Sequence, residues 1–254
     1  FNVVTTILLL PFGVSLARLA ARILPERKEE AETSMHLEFL HAGESGRETG
    51  IGQSAIALDG IQKELLRMMS MAEQNVKDSF DAVQDGTTRL LRTVTEREEY
   101  IDFLNKEISK YISGVLAKET NPQTSRQISV LFKVCGNLER IGDHAMNICE
   151  YTRLMEEKGI SFSQAAREEI RSMQKISLEA MENMKAIGES AGKDIGEIER
   201  MEQKIDDMTE QYRANQMNRL HGGQCSDEAC VLYSEMLTDF ERIGDHILNI
   251  GQEM

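Results

Sequence analysis

Apolar residues recur three and four apart through most of this chain. Leu131, Val134, Leu138, Ile141, Ala145 and Ile148 form one such stripe. Tyr233, Met236, Phe240, Ile243, Ile247 and Ile250 form another. That period puts residues on one face of an α-helix. A stripe of Val94, Ile101, Leu104, Ile108 and Tyr111 precedes the first, and Ile198, Met201, Ile205, Met208 and Tyr212 precede the second. Each is a seam that has to be buried against neighbouring helices. The methionines on these stripes read as core fillers.

Turn signals divide the pattern into six helices. The first spans about 51–83 and stops at Asp85-Gly86. The second spans about 88–118. Asn121-Pro122 caps the third, with Asn at the N-cap and Pro at the first helical position, and it runs to about Met155. Gly159 separates it from a fourth, which starts at Ser161 or Ser163 and runs to about Ile187. Asp194 with Glu197 resembles a capping box for the fifth, which His221-Gly222-Gly223 ends. Ser226 starts the sixth. Residues 139–149 recur almost unchanged at 241–251, an offset of 102, so the chain is an internal duplication. The expected fold is all-α, two tandem three-helix bundles, with repeats over 51–158 and 159–254.

The start of the chain has a different character. Phe1 to Ala17 carries no charge, and Arg18, Arg22, Arg27 and Lys28 follow. This reads as the end of a transmembrane helix over 1–24, with everything beyond it in the cytoplasm. A signal peptide would place its charge before the apolar run. The alternative is a buried amphipathic helix. Residues 25–50, polar and acidic with Gly43, Gly46 and Gly50, read as a linker holding a short helix around Met35–His41.

The formal charge of −14 speaks against nucleic acid as a partner, because phosphate neutralisation needs a basic face. Four cysteines, at 135, 149, 225 and 230, form no Cys-x-x-Cys and read as reduced thiols. Acidic pairs four residues apart stand out more. Glu139 and Asp143 lie on the third helix, Glu241 and Asp245 on the sixth, Glu98 and Asp102 on the second, and Glu202 and Asp206 on the fifth. With Ile141 in the core, the acids fall away from the seam. Short connections make each helix pair antiparallel, so four acids could converge in each bundle. Carboxylates so placed repel each other and either raise their pKa values or attract a cation. An all-oxygen donor set suits Mg²⁺, Mn²⁺, Ca²⁺ or ferric iron. Asn147 and Asn249, four residues past the aspartates, could add carbonyl oxygens. The competing reading is a solvated acidic face with Arg140 and Arg242 as local partners. His144 and His246 are turned about 100° from the preceding Asp and read as packing or supporting residues. Gly142 and Gly244, mid-helix, each cost about 1 kcal/mol relative to Ala, which suggests close approach by another helix or subunit.

The Glu-Arg-Ile-Gly-Asp-His segments and the acidic pairs resemble the PhoU family over about residues 51–254. The opening Phe-Asn-Val-Val-Thr-Thr-Ile-Leu-Leu-Leu-Pro-Phe resembles the last membrane helix of bacterial sodium/phosphate cotransporters that carry a PhoU-like tail. The combined resemblance implies the cytoplasmic regulatory tail of a cell-membrane phosphate symporter. Its partner would be its own upstream transport domain, where sodium and phosphate bind, and a homodimer is a further expectation. By the same resemblance the eight carboxylates would hold metal, iron or zinc, with magnesium or manganese as alternatives. A free-standing PhoU-type regulator of phosphate uptake and signalling is the competing reading. A di-metal carboxylate enzyme is the third, and it lacks the inward Glu-x-x-His pairs that such enzymes use. With no nucleophile–base arrangement either, no catalytic residue is assigned.

Overall fold

In the computed structural model, residues 35–40, 53–189 and 195–254 are described. The α-helices among the described residues are α1 (Gln53–Asp85), α2 (Leu91–Leu116), α3 (Pro122–Lys158), α4 (Gln164–Glu189), α5 (Gly196–His221) and α6 (Asp227–Glu253). A short 3-10 turn, Thr88–Leu90, leads into α2.

Local chemistry sets most of the ends. The Asn121 side chain accepts from Gln123 N–H with Pro122 in the first turn, and Ser226 accepts from Ala229 N–H. Ser163 accepts from Ala166 N–H at 3.2 Å. Gly159 closes α3 in the left-handed conformation (φ 64°), where a side chain would be strained. For α5, Asp194 lies outside the described residues. The helix follows Ile195, which makes no side-chain capping bond.

α1, α2 and α3 pack together, as do α4, α5 and α6, and α3 also packs on α6 and α1 on α4. The two repeats therefore share one core. Phe80, Ile101 and Leu138 of the first repeat belong to the same apolar cluster as Met173, Ile205 and Phe240 of the second, all fully buried. The physical reason is visible in α6, whose buried positions include Leu237, Asp239 and Gly251 beside the expected seam. That face is too wide for one bundle alone.

The short helix expected around Met35–His41 is not formed, since residues 35–40 are irregular. Leu40 is buried, and Glu64 of α1, with no exposed surface, accepts the backbone N–H groups of Glu38 and Phe39 at 2.5 and 2.8 Å. Those side-chain bonds replace helical ones. Gly60 makes room for the approach, because a Cβ there would lie 2.8 Å from Leu40 Cδ2. Residues 38–40, in the middle of the expected linker, are thus docked on α1. The membrane helix expected over 1–24 lies outside the described residues. Among the described residues no helix is long and apolar enough to cross a membrane.

Candidate functional site

The two mid-helix glycines explain how the carboxylates meet. A Cβ at Gly142 of α3 would come within 3.2 Å of Ile101 of α2. One at Gly244 of α6 would come within 3.1 Å of Ile205 of α5. So the approaching element is the neighbouring helix of the same repeat, not another subunit. Close, antiparallel approach at these points sets Glu98 opposite Asp143 and Asp102 opposite Glu139, and likewise Glu202 opposite Asp245.

In the first repeat, Glu98 and Asp143 share a hydrogen bond. Loss of water pushes the Glu98 carboxyl up to about 7, with the charges of Asp143 and Asp102 adding to the shift. Desolvation also raises Glu139 and Asp143. Nearby Asp143 pushes Glu139 further, while the shared bond and the positive charge of Arg140 hold Asp143 back. Glu98 is thus the carboxyl of the pair that more readily holds the proton of their shared bond. Asp143 keeps solvent access even so, and Asp102 is also engaged by Lys106 at 2.7 Å.

In the second repeat, Glu202, Asp206 and Asp245 each offer one oxygen, and these lie within 4.8 Å of one another. Desolvation and then mutual repulsion raise Glu202 and Asp206. Glu241 does not join them. It lies 4.0 Å from Arg213 of α5. Arg242 reaches Asp245 at 3.1 Å, so part of the local-cation reading also holds. All eight acids except Asp143 are half-buried rather than facing outward.

The contacts of Asn147 and the surroundings of Asn249 point elsewhere than to the carboxylates. Both residues lie along the α3–α6 contact. Asn147 donates to Asp239 at 3.1 Å, and Asn249 borders a groove with Arg140. His144 and His246 stack across the same contact with ring centroids 5.5 Å apart. His144 Nδ1 bonds Asp239 at 2.7 Å and His246 Nδ1 bonds Asn137 at 2.9 Å. Tyr151 also donates to Asp239, at 2.6 Å. Asp239 and Asn137 are equivalent positions of the two repeats. Sequence reasoning missed both, although their place just off the apolar stripe was a signal.

The PhoU domain pattern matches residues 65–152 and again 167–254, which is most of the chain. The chain belongs to the PhoU family. It is 27% identical to phosphate-specific transport system accessory protein PhoU homolog 1 of Thermotoga maritima over 197 residues, covering 76% of this chain and 84% of that one. PhoU of Escherichia coli is 30% identical over 100 residues, 39% of this chain and 41% of that protein. The fold matches the crystal structure of PhoU from Pseudomonas aeruginosa with a TM-score of 0.73 at 21% identity, over 78% of this chain and 95% of that one. PhoU from Streptococcus pneumoniae gives 0.68 at 17% identity, over 79% and 94%.

These relatives correct the expected location. The Thermotoga and Pseudomonas relatives are PhoU proteins matched over 84% and 95% of their own length, and on that likeness the assignment to the cell membrane does not stand. The sodium-symporter reading rested on residues 1–24 in combination with the acidic linker and the PhoU-like repeats, and residues 1–24 lie outside the described residues.

Proposed function

We propose that this chain is a PhoU-type accessory protein that regulates a phosphate transport system and whose two acidic clusters take cations. The observation that carries the cation part is the duplicated arrangement in which a glycine lets an isoleucine-bearing helix close in and packs carboxylates against carboxylates. Among the described residues, Glu202, Asp206 and Asp245 are the group whose ligand atoms lie within 4.8 Å of one another. Such a cluster is stabilised by a proton or a metal ion, and the raised Glu98 pKa marks the same demand. The donor set fits hard cations. Glu98, Asp102, Glu139 and Asp143 would hold one centre, and Glu202, Asp206 and Asp245 the other. Magnesium, manganese and ferric iron suit carboxylate oxygens. Zinc, which prefers nitrogen and sulfur, finds His144 and His246 turned into the α3–α6 contact. Bound metal would supply charge that neutralises the cluster, and the chain's own part is to hold the carboxylates at fixed spacing.

The regulatory part rests on the named accessory relatives. A membrane phosphate transporter is the partner this implies. Two measurements test the reading. Elemental analysis of protein from metal-replete cells should find at least one ion per repeat, lost from Glu98→Gln/Asp143→Asn and from Glu202→Gln/Asp245→Asn. Deleting the gene should alter phosphate uptake or its response to phosphate supply. Metal-free protein that shows no thermal shift with Mn²⁺, Mg²⁺ or Fe³⁺ removes the cation centres. Unchanged uptake in starved and replete cells removes the regulatory role.

A further inference from the structure

The α3–α6 contact has two pseudo-equivalent ends, and they differ. Each histidine of the central stack bonds the other helix, so the contact runs antiparallel about an approximate two-fold axis. At one end Tyr151 lies over the contact and bonds Asp239, with Glu235 acting on it electrostatically. At the other end the place of Tyr151 falls to Glu253, that of Glu235 to Lys133, that of Thr238 to Gly136 and that of Glu150 to Gln252. Lys133 draws Glu253 aside into an ion pair of 2.7 Å. What remains is a groove of about 320 Å³ bordered by Phe132, Lys133, Gly136, Arg140, Asn249 and Gln252.

Its chemistry differs from that of the surrounding surface. The chain carries a net −14, yet this groove is bordered by two cations and one acid. Arg140 makes no salt bridge among the described residues, whereas its equivalent, Arg242, is held by Asp245 at 3.1 Å. Phe132 is 46% exposed at the rim, and a Cβ on Gly136 would meet nothing within 4 Å. The Arg140 charge also acts on Glu139 and Asp143 behind it. An exposed aromatic beside an exposed guanidinium is the composition of an interface hot spot. The amides of Asn249 and Gln252 can pair with a peptide backbone.

We propose that this groove is a docking site for an acidic segment of a partner protein, one that sets an Asp or Glu against Arg140 and Lys133 and an apolar side chain against Phe132. Charge complementarity selects this occupant over a second copy of the chain, whose surface presents the same groove. The volume exceeds what a single small oxyanion fills. Because Arg140 also acts on Glu139 and Asp143, the groove is tested with the carboxylate clusters held in one metal-free state.

The test uses the whole chain in EDTA, so that occupancy of those clusters plays no part. Fluorescein-labelled peptides of about ten residues, rich in Asp and Glu around one central Leu, are titrated by fluorescence anisotropy beside Lys-substituted counterparts. Acidic peptides should bind with Kd below ~1 mM, and the basic ones should not. Gly136→Leu fills the groove, and Arg140→Gln removes its guanidinium charge; each should weaken binding about tenfold or more. Arg242→Gln, at the closed end, should leave it within about twofold. Circular dichroism checks the folds, and Lys133→Gln replaces Gly136→Leu if that variant does not fold. Equal binding of acidic and basic peptides, no binding below ~1 mM, or indifference to both groove variants overturns the proposal. So does displacement of the peptide by inorganic phosphate beyond the effect of matched ionic strength, which would make the groove a small-anion site.

Discussion

Three glycines in similar helical settings should respond differently to the same substitution. Gly136, Gly142 and Gly244 all lie inside helices, so Gly→Ala gains about 1 kcal/mol of helix propensity at each. Tertiary contacts then separate them. At Gly136 the new methyl meets nothing within 4 Å, and the full gain should appear. At Gly142 it meets Ile101 Cδ1 at 3.2 Å and Cγ2 at 3.4 Å, and at Gly244 it meets two Ile205 carbons at 3.1 Å. Ile101 and Ile205 are fully buried and cannot swing into solvent. Crowding of this kind costs about 1–3 kcal/mol. The expected order of stability is Gly136→Ala above wild type, then Gly142→Ala at or below it, then Gly244→Ala lowest. For a domain of this size each kcal/mol is worth roughly 2–4 °C of Tm. Thermal melts in EDTA, with urea titrations as a second measure, would rank the three. Equal stabilisation at all three positions would refute the claim that close helix approach is what these glycines permit. The crowded variants should also bind Mn²⁺ more weakly than Gly136→Ala, because the same contact sets the carboxylate spacing.

In the metal-free protein, stability should fall as pH rises through about 7. The Glu98 carboxyl is raised from 4.5 to about 7 on folding, so the folded state holds the extra proton. That contribution is full below 4.5 and is lost above 7. Glu98→Gln should flatten the profile in melts from pH 5 to 8, and an unchanged slope would contradict the assignment. Arg219 donates to Glu169 at 2.6 and 3.1 Å, and Tyr233 donates to the same carboxylate. Both ion partners are nearly buried, so Arg219→Met should cost about 3–5 kcal/mol, with much of it recovered in Arg219→Met/Glu169→Leu. A single-variant loss below ~1 kcal/mol in urea titrations would show the pair to be solvent-screened. Glu64→Ala should free the Leu37–Leu40 segment, seen as faster proteolysis near Phe39, because the Glu38 and Phe39 N–H groups lose their acceptor. Protection equal to wild type would mean that Leu40 packing alone holds the segment.

The six helices of the two repeats, most of their ends and the duplication were legible in the linear sequence, because they rest on local physics. A period of three and four, an Asn-Pro cap and a Gly terminator act within one or two turns, whatever the rest of the chain does. The eight carboxylates were legible for the same reason, since spacing four apart puts each pair on one face. Which of them meet was not. That depended on the α2–α3 and α5–α6 approach at Gly142 and Gly244, and on Arg213 reaching Glu241 from a neighbouring helix. Nor did the sequence reveal that Asn147 would be drawn to Asp239, since both residues lie on separate helices 92 positions apart. The short helix expected near Met35 failed for a similar reason. Its backbone found an acceptor in buried Glu64, and a long-range bond in a dry site outweighs a weak local preference. Local pattern thus determined what each helix is. The antiparallel contact of α3 with α6, the shared core and the unequal ends of the contact were decided only when distant helices packed.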